Sequence, residues 1–553
     1  MPGTNQIVVH TSVLASGPPS TSLSCSAISG PVGRMSLFAK HASSHRVPRL
    51  AEWSWGRPCF PSAARIDLAR QLSEASCWLT AVAQPVTIAA PPSAAAHPAI
   101  DLSNRHHDMR ARILVLLSSL IAPPVWAIEY YVSPDGSNDN PGTNVQPFAT
   151  LERARDAIRL LKAGGDLREP VTVFVRHGYF PLEKTLTLGP QDSGTEAAPI
   201  VYRACEDEKP VLVGGREITG FTSHRDRILK ADVKGLRLAG APARVLTFDG
   251  QRQELARYPN CNPKAVGGGD WAYVDGKRYS MYTDSPDEDN YLKQNQHLDF
   301  WQRNIPRLTQ TLLVKPDDVR PWRHPEQAEV SMFPRFNWEH FLPKVTSFDA
   351  ATRQLRLEPG CYYEIRPGDR YFVRGLFEEL DSPGEWYLDR AAGTLYFWPP
   401  TPLEGKAVHL AALTHLIELR DCAYVTVRGF TMECSNGTAV MLNNCTDCLV
   451  AGNTIRNVGD VDGCGVVVEG GRHNGVVGND IHDVGSDGVL VAAGDVISLT
   501  PAEIRVDNNY IHHVGRVKRD AKGVALRLGF RNGRAIGQCA GVRISHNLIH
   551  DTP

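Results

Sequence analysis

The chain has 553 residues, 42% hydrophobic and 22% charged, which is enough apolar material for a large core and two or three structural units and excludes a disordered tail. Its formal net charge of −1 is unevenly spread: residues 1–127 carry ten Lys and Arg against five Asp and Glu, leaving 49 basic against 55 acidic residues in the remainder. That mild acidity supplies no basic face, so neither nucleic acid nor an anionic membrane is an expected partner.

Residues 1–108 are rich in Ser, Ala and Pro and hold no sustained period of 2 or 3.6. They are expected to lie outside the fold, as an unstructured or mis-assigned extension, with translation beginning at Met109. Met109-Arg-Ala-Arg112, the apolar run Ile113–Ala122 and the small residue Ala127 then have the layout of a signal peptide over 109–127. The run is too short to span a bilayer. This predicts a secreted or periplasmic bacterial protein with no membrane attachment after cleavage; a buried apolar helix is the competing reading. Nine cysteines follow Ala127, an odd number at irregular spacing, so no disulfide framework is inferred. Cys445-Thr-Asp-Cys448 matches C-x-x-C but lies among short strands, without a second pair at zinc spacing, and reads as structural.

A cap and the first coils are expected over 128–240. Glu129-Tyr-Tyr-Val132 is a short strand, and Leu151, Ala154, Ile158 and Leu161 share one face of a helix with Thr150 as N-cap and Gly164-Gly165 at its end. One amphipathic helix among strands can close a solenoid, which otherwise exposes apolar faces and unpaired edges. Val171–Val175, Leu186–Leu188, Ile200–Tyr202 and Val211–Val213 alternate with turns and no crossover helix, which favours a β-coil over a doubly wound sheet. Over 241–400 strands lengthen and aromatics gather, including Trp271, Trp301, Trp322, Trp338, Trp386 and Trp398; this is expected to be an inserted β-rich domain. Glu385–Asp389 and Thr394–Trp398 read as a hairpin.

Over 401–553 a repeat appears: Gly452-Asn-Thr-Ile-Arg-Asn-Val-Gly459, Gly478-Asn-Asp-Ile-His-Asp-Val-Gly485, Asn508-Asn-Tyr-Ile-His-His-Val-Gly515 and His546-Asn-Leu-Ile-His-Asp551. Asn453, Asn479, Asn509 and Asn547 are separated by 26, 30 and 38 residues, one coil each. Ile455, Ile481, Ile511 and Ile549 should stack inward and the asparagines should form a hydrogen-bonded ladder. The predicted class is all-β, a right-handed parallel β-helix with an N-terminal capping helix and an inserted β-rich domain.

These features resemble a large bacterial group of secreted right-handed parallel β-helix proteins that includes glycoside hydrolase family 141. The resemblance is carried by Tyr130-Tyr-Val-Ser-Pro-Asp-Gly136, Gln146–Ile158, Asp192-Ser-Gly-Thr-Glu196, Ala256-Arg-Tyr-Pro-Asn260, Gly384-Glu-Trp-Tyr-Leu-Asp389 and the coils after His415. It covers most of 128–553 and specifies fold more strongly than substrate. It implies fucosidase- or xylanase-like activity on a polysaccharide or oligosaccharide, by a monomer. It also implies coils beyond Pro553, so the chain reads as truncated inside a coil.

Equivalent side chains in neighbouring coils stand about 4.8 Å apart, close to the roughly 5–5.5 Å between the carboxylates of retaining glycosidases. Stacked carboxylates are therefore natural acid and base candidates. Asp462 and Asp487 are expected at similar turns of successive coils, with Asp487 the first choice. Asp483 and Asp551 share a position with Asn457 and His513, and His482 adjoins Asp483. These five, Asp487, Asp483, Asp462, Asp551 and His482, are the catalytic candidates; Asp before Gly is also an ordinary turn residue. His512 and His550 extend a ladder from His482 and, with Trp338, are the expected substrate contacts. A solvated polar stack and an insert core are the competing readings. No metal ligand set is predicted and no cofactor is firmly implied, although Ca²⁺ is compatible. A polysaccharide lyase would use the basic cluster Arg516, Lys518, Arg519, Lys522 and Arg527, and a non-catalytic carbohydrate-binding or surface protein is the third possibility.

Overall fold

The computed structural model describes residues 127–553 except 166, 237–242, 263–270, 284, 286–292, 295–308, 532–533 and 538. The expected extension, the apolar run of the signal segment and Trp301 lie outside the described residues. Among the described residues no helix is long and apolar enough to cross a membrane.

Three parallel sheets wrap one core. The first face begins with Ile128–Val132, Val171–Val175 and Ile200–Ala204, then continues through Val425–Arg428, Leu449–Ala451, Gly475–Val477, Ile504–Asp507 and Val542–Ser545. The second face stacks Gly178–Pro181, Pro210–Val213, Thr431–Glu433, Thr454–Arg456, Asp480–His482, Tyr510–His512 and Leu548–His550. The third holds Leu186–Leu188, Ile417–Arg420, Val440–Asn443, Val466–Glu469, Val489–Ala492 and Val524–Leu526. Each successive pair is parallel, as a coil of short strands without crossover helices requires. The fold class is thus the predicted parallel β-helix.

Ile455, Ile481 and Ile511 pair in register and are fully buried, each contributing about 1.5–3 kcal/mol of apolar burial. The asparagine ladder forms as the repeat requires. Asn479 Oδ1 accepts from Asn453 N and Nδ2 at 3.0 Å, and Asn509 Oδ1 accepts from Asn479 N and Nδ2 at 2.9 Å. Helix α1, Leu151–Ala163, closes the first coil. Thr150 Oγ1 accepts from Arg153 N at 3.2 Å, and Leu151, Ala154, Ala157 and Ile158 are buried. Leu161, expected on the same face, is instead more than a third exposed, so the buried stripe ends at Ile158.

The insert leaves the solenoid at the corner between the second and third faces. Gly215–Glu217 pairs antiparallel with Val408–Ala411, so the excursion spans Gly215 to Ala411, wider than the 241–400 composition shift. Its stem strands are as short and mixed as solenoid strands, so composition does not separate them. One eight-stranded sheet packs Trp386, Phe397, Leu246 and Leu410 around its core, and a second sheet packs Leu312, Val330, Leu355 and Val373. The expected hairpin pairs Trp386 with Phe397 and Asp389 with Thr394.

Candidate active site at the corner between the second and third faces

Because the insert leaves at this corner, the same corner of each later coil lies beside it. The first residue of the bend is left-handed in the five coils after the insert: Cys434, Asn457, Asp483, His513 and Asp551 have φ of 60°, 53°, 52°, 51° and 48°. Asn and Asp tolerate that region better than most residues. Asp483 and Asp551 therefore share the position expected of them, but their surroundings differ. Asp483 Oδ2 meets His482 Nδ1 at 2.8 Å and Oδ1 receives Arg516 Nε at 2.7 Å. Burial opposes ionisation of Asp483, yet the His482 hydrogen bond and the Arg516 charge outweigh it and hold its carboxyl well below the usual range. Asp551 is exposed and meets His550 Nδ1 at 2.7 Å. A carboxylate clamped like Asp483 is a poor proton donor and a good orienter.

Asp487 lies at the end of the same bend, just before the third face. Val466 pairs with Val489 and Val489 with Val524, which aligns Cys464, Asp487 and Lys522 in successive coils. Asp462 is consequently not the coil-mate of Asp487; it is exposed on a longer loop, two residues out of register. The identical Asp-Gly dipeptides mislead because their glycines answer different needs. Gly488 has no left-handed backbone, but an added Cβ would stand 2.6 Å from Gly523 O and 2.6 Å from Ile511 Cγ2. It is small because the stacked isoleucines press on it, so the turn alone does not explain Asp487-Gly488.

Asp487 is only 6% exposed and Oδ1 accepts from Lys522 N at 2.7 Å. Burial raises its pKa against the pull of that N–H and of the Lys518 and Lys522 charges, and the nearby Asp520 raises it further. Asp520 lies on the same loop as Lys522; its Oδ1 is enclosed and takes no hydrogen bond among the described residues. Glu339, on the insert, also has its pKa raised, first by burial and then by Asp520, against Lys518 and Lys522. Three carboxylates and two lysines thus converge where the insert meets the corner. A buried carboxyl whose pKa is raised, beside other carboxylates, is an arrangement that suits acid–base chemistry.

The insert is fixed to this corner by ions. Glu329 receives Arg244 Nη1 at 2.7 Å and Arg374 Nη2 at 2.8 Å, and Arg374 Nη2 also reaches Asp460 Oδ1 at 3.2 Å. Burial alone would raise the Glu329 carboxyl, but Arg374 and Arg244 bring it down to about 2. His340 holds the Glu339 turn: its Nε2 meets Ser331 Oγ at 2.7 Å, and burial with surrounding arginines drives its pKa to about 3, so it stays neutral. Trp338 beside it is 66% exposed and packs against Phe336 at 5.2 Å between centroids. Trp338 is therefore not core, whereas Trp322 and Trp386 are.

On the second face His482, His512 and His550 stack with centroids 4.8 and 5.3 Å apart and rings within 7° of parallel. His512 Nε2 lies 3.3 Å from Asp480 Oδ1, and His550 Nε2 is 2.9 Å from Tyr510 Oη. Burial, with the neighbouring His482, lowers the His512 pKa. Through His482 and Asp483 this ladder joins the corner. Among the described residues no group of three or more His, Cys, Asp or Glu is disposed to hold a metal ion, and the C-x-x-C cysteines are buried in the opposite corner.

Of the residues that the sequence singles out, Asp487, Asp483 and His482 lie at this corner, with His512 and Trp338 beside it; Asp520 and Glu339 are not among the sequence candidates. Asp520 sits inside the basic cluster Arg516–Arg527; its position before Gly523, the counterpart of Gly488, is the sequence signal that marks it.

Residues 408–553 match the family model described as a right handed beta helix region. That stretch is the later solenoid with its corner loops. Among curated proteins the chain is similar to Pectate lyase PEL9 of Emericella nidulans, 32% identical over 122 residues, 22% of this chain and 27% of that protein. It is also similar to the uncharacterized protein YwoF of Bacillus subtilis, 32% identical over 120 residues, 19% of this chain and 23% of that one. The chain therefore matches well under two thirds of either relative's length. Solved structures similar to it include one described as a glycoside hydrolase, at 18% identity and TM-score 0.48, covering 72% of this chain and 85% of that one. Another is XylC in complex with xylose, at 14% identity and TM-score 0.38, covering 77% and 59%.

Proposed function

We propose that the protein is a carbohydrate-active enzyme that hydrolyses glycosidic bonds in a polysaccharide or oligosaccharide, with Asp487 as general acid and Asp520 as its carboxylate partner. The observation that carries this reading is that Asp487, 6% exposed, accepts from Lys522 N at 2.7 Å, which sets it against the loop that holds the enclosed Asp520 Oδ1. Asp487 gives its proton to the glycosidic oxygen as the bond to the anomeric carbon breaks. Asp520 either attacks that carbon or takes a proton from the attacking water, and each cleavage consumes one water and yields one reducing end. Asp483, clamped by Arg516, orients His482 and with it the histidine ladder. His512, His550 and Trp338 contact the saccharide, whose rings suit exposed aromatic faces. Action outside the cytoplasm, by a monomer, rests on the 109–127 segment and the resemblance. No step is assigned to a cation.

A polysaccharide lyase is the second reading, favoured by Lys518 and Lys522 beside the carboxylates and by the pectate lyase among the similar proteins. A glycan panel separates the readings. Reducing ends without ultraviolet absorbance, lost in Asp487→Asn, support the hydrolase; unsaturated uronates support the lyase; retention without cleavage supports a binding protein. Hydrolysis that persists in both Asp487→Asn and Asp520→Asn sinks the assignment of the pair.

A further inference from the structure

A concavity at the N-terminal end of the solenoid lies between the capping helix and the first strand of the second face, at the first coil's bend toward the third face. Its volume is about 380 Å³, within the usual range for a small-molecule site, and its rim includes Pro134, Glu152, Tyr179, Pro181, Glu183 and Lys184. Tyr179 is 61% exposed, while its neighbour Phe180 is buried. Strand alternation therefore turns Tyr179 outward into the concavity. At the helix N-terminus Thr150 Oγ1 takes the Arg153 N–H.

We propose that this concavity is a binding subsite for a neutral sugar residue of a glycan chain, with Tyr179 as the stacking platform. The tyrosine ring and the two prolines offer a flat apolar surface to the C–H face of a pyranose. Glu152 and Glu183 accept hydrogen bonds from its hydroxyls, and Lys184 donates. Arg216 pairs with Glu183 at 3.7 Å, so Glu152, Glu183, Lys184 and Arg216 carry no net charge together, and the site has no cationic excess to favour a uronate over a neutral sugar. Tyr179 stands four strand spacings along the second face from Asp480–His482, about 19 Å, so the subsite holds saccharide without cleaving it. It does not depend on the hydrolase reading, because it predicts binding rather than turnover.

The test uses the full chain carrying Asp487→Asn, to prevent turnover, titrated calorimetrically with xylohexaose, cellohexaose, β-1,4-galactohexaose and hexagalacturonate. At least one neutral hexasaccharide binds, and Tyr179→Ala weakens it about three- to tenfold, the worth of one aromatic contact. Tyr179→Trp restores binding, and Trp338→Ala leaves the Tyr179-dependent component in place. Hexagalacturonate shows no Tyr179-dependent binding. The proposal is overturned if none of the three neutral probes binds, if Tyr179→Ala leaves binding unchanged, or if hexagalacturonate is the ligand that Tyr179→Ala loses. Absence of hydrolysis in the unmutated protein counts against the proposed function alone.

Discussion

At the scale of single residues, the site turns on two aspartates that burial treats oppositely. Asp483 is surrounded by donors and stays ionised, whereas Asp487 receives one backbone N–H and is pushed toward its protonated form. A carboxyl whose folded pKa lies above its unfolded value of about 3.9 favours folding most at low pH, and loses that contribution as pH rises through the folded value. Asp487→Asn should therefore melt at or above the wild type at pH 7, by about 1–2 °C, with the gap closing toward pH 4. The same substitution should cost about 10² or more in kcat. In the unmutated protein the basic limb of the rate profile follows loss of the Asp487 proton and lies above that of an ordinary exposed aspartate. Thermal melts at two pH values beside initial rates measure both, and a variant that is less stable at pH 7 yet fully active refutes the assignment. Asp483 has the opposite sign. Its depressed pKa contributes stability above about pH 4 that is lost as pH falls through the folded value, so Asp483→Asn should be destabilised at pH 7.

At the scale of elements, the coil is specified by two ladders with unequal tolerance. Asn479→Ala strands Asn453 N–H and Val450 C=O in the interior, at a cost of about 2–4 kcal/mol, while Asn509 Oδ1 keeps the backbone N–H of residue 479. Asn547→Ala removes a similar set on a half-buried coil, where water replaces it, and should cost less than half as much. Gly488→Ala forces a methyl against Gly523 O and Ile511, for about 1–3 kcal/mol. Melting temperatures in this order check the ladder account; equal losses at Asn479 and Asn547 contradict it. These ladders are also why the solenoid was legible in sequence, since each coil restates Asn, Ile and Val at fixed offsets. The site was legible only where it rode on that repeat. Asp487 and Asp483 follow strands of regular length, but the coil separation widens to 38 residues beyond Asn509, and the longer loop hides the place of Asp520. Glu339 belongs to no repeat, because pairing of distant strands brings it to the corner. The stem strands Gly215–Glu217 and Val408–Ala411 escaped for a related reason: the direction of their pairing leaves no periodic mark.

At the scale of the whole fold, the insert is what brings side chains from outside the solenoid, Glu339 and Trp338, toward the corner. Its attachment is polar: Glu329 sits between Arg244 and Arg374, and Arg374 continues to Asp460 on the solenoid. Removing one member of a buried ion pair leaves its partner uncompensated and costs about 3–5 kcal/mol. Glu329→Ala should therefore loosen the insert and displace Glu339 and Trp338, lowering kcat while the circular-dichroism signal of the solenoid persists. The wild type has a pH window of its own. The Glu329 pKa of about 2 lies below the unfolded value of about 4.3, so the junction's contribution is complete above the latter and disappears as pH falls through the former. Brief pepsin digestion should then leave the insert of the wild type intact at pH 4 and cut it near pH 2, while Glu329→Ala is cut at both. Equal resistance of the two proteins at pH 4 would mean that the insert is held by its apolar stem, and that the Arg–Glu–Arg–Asp chain sets its angle over the corner rather than its attachment.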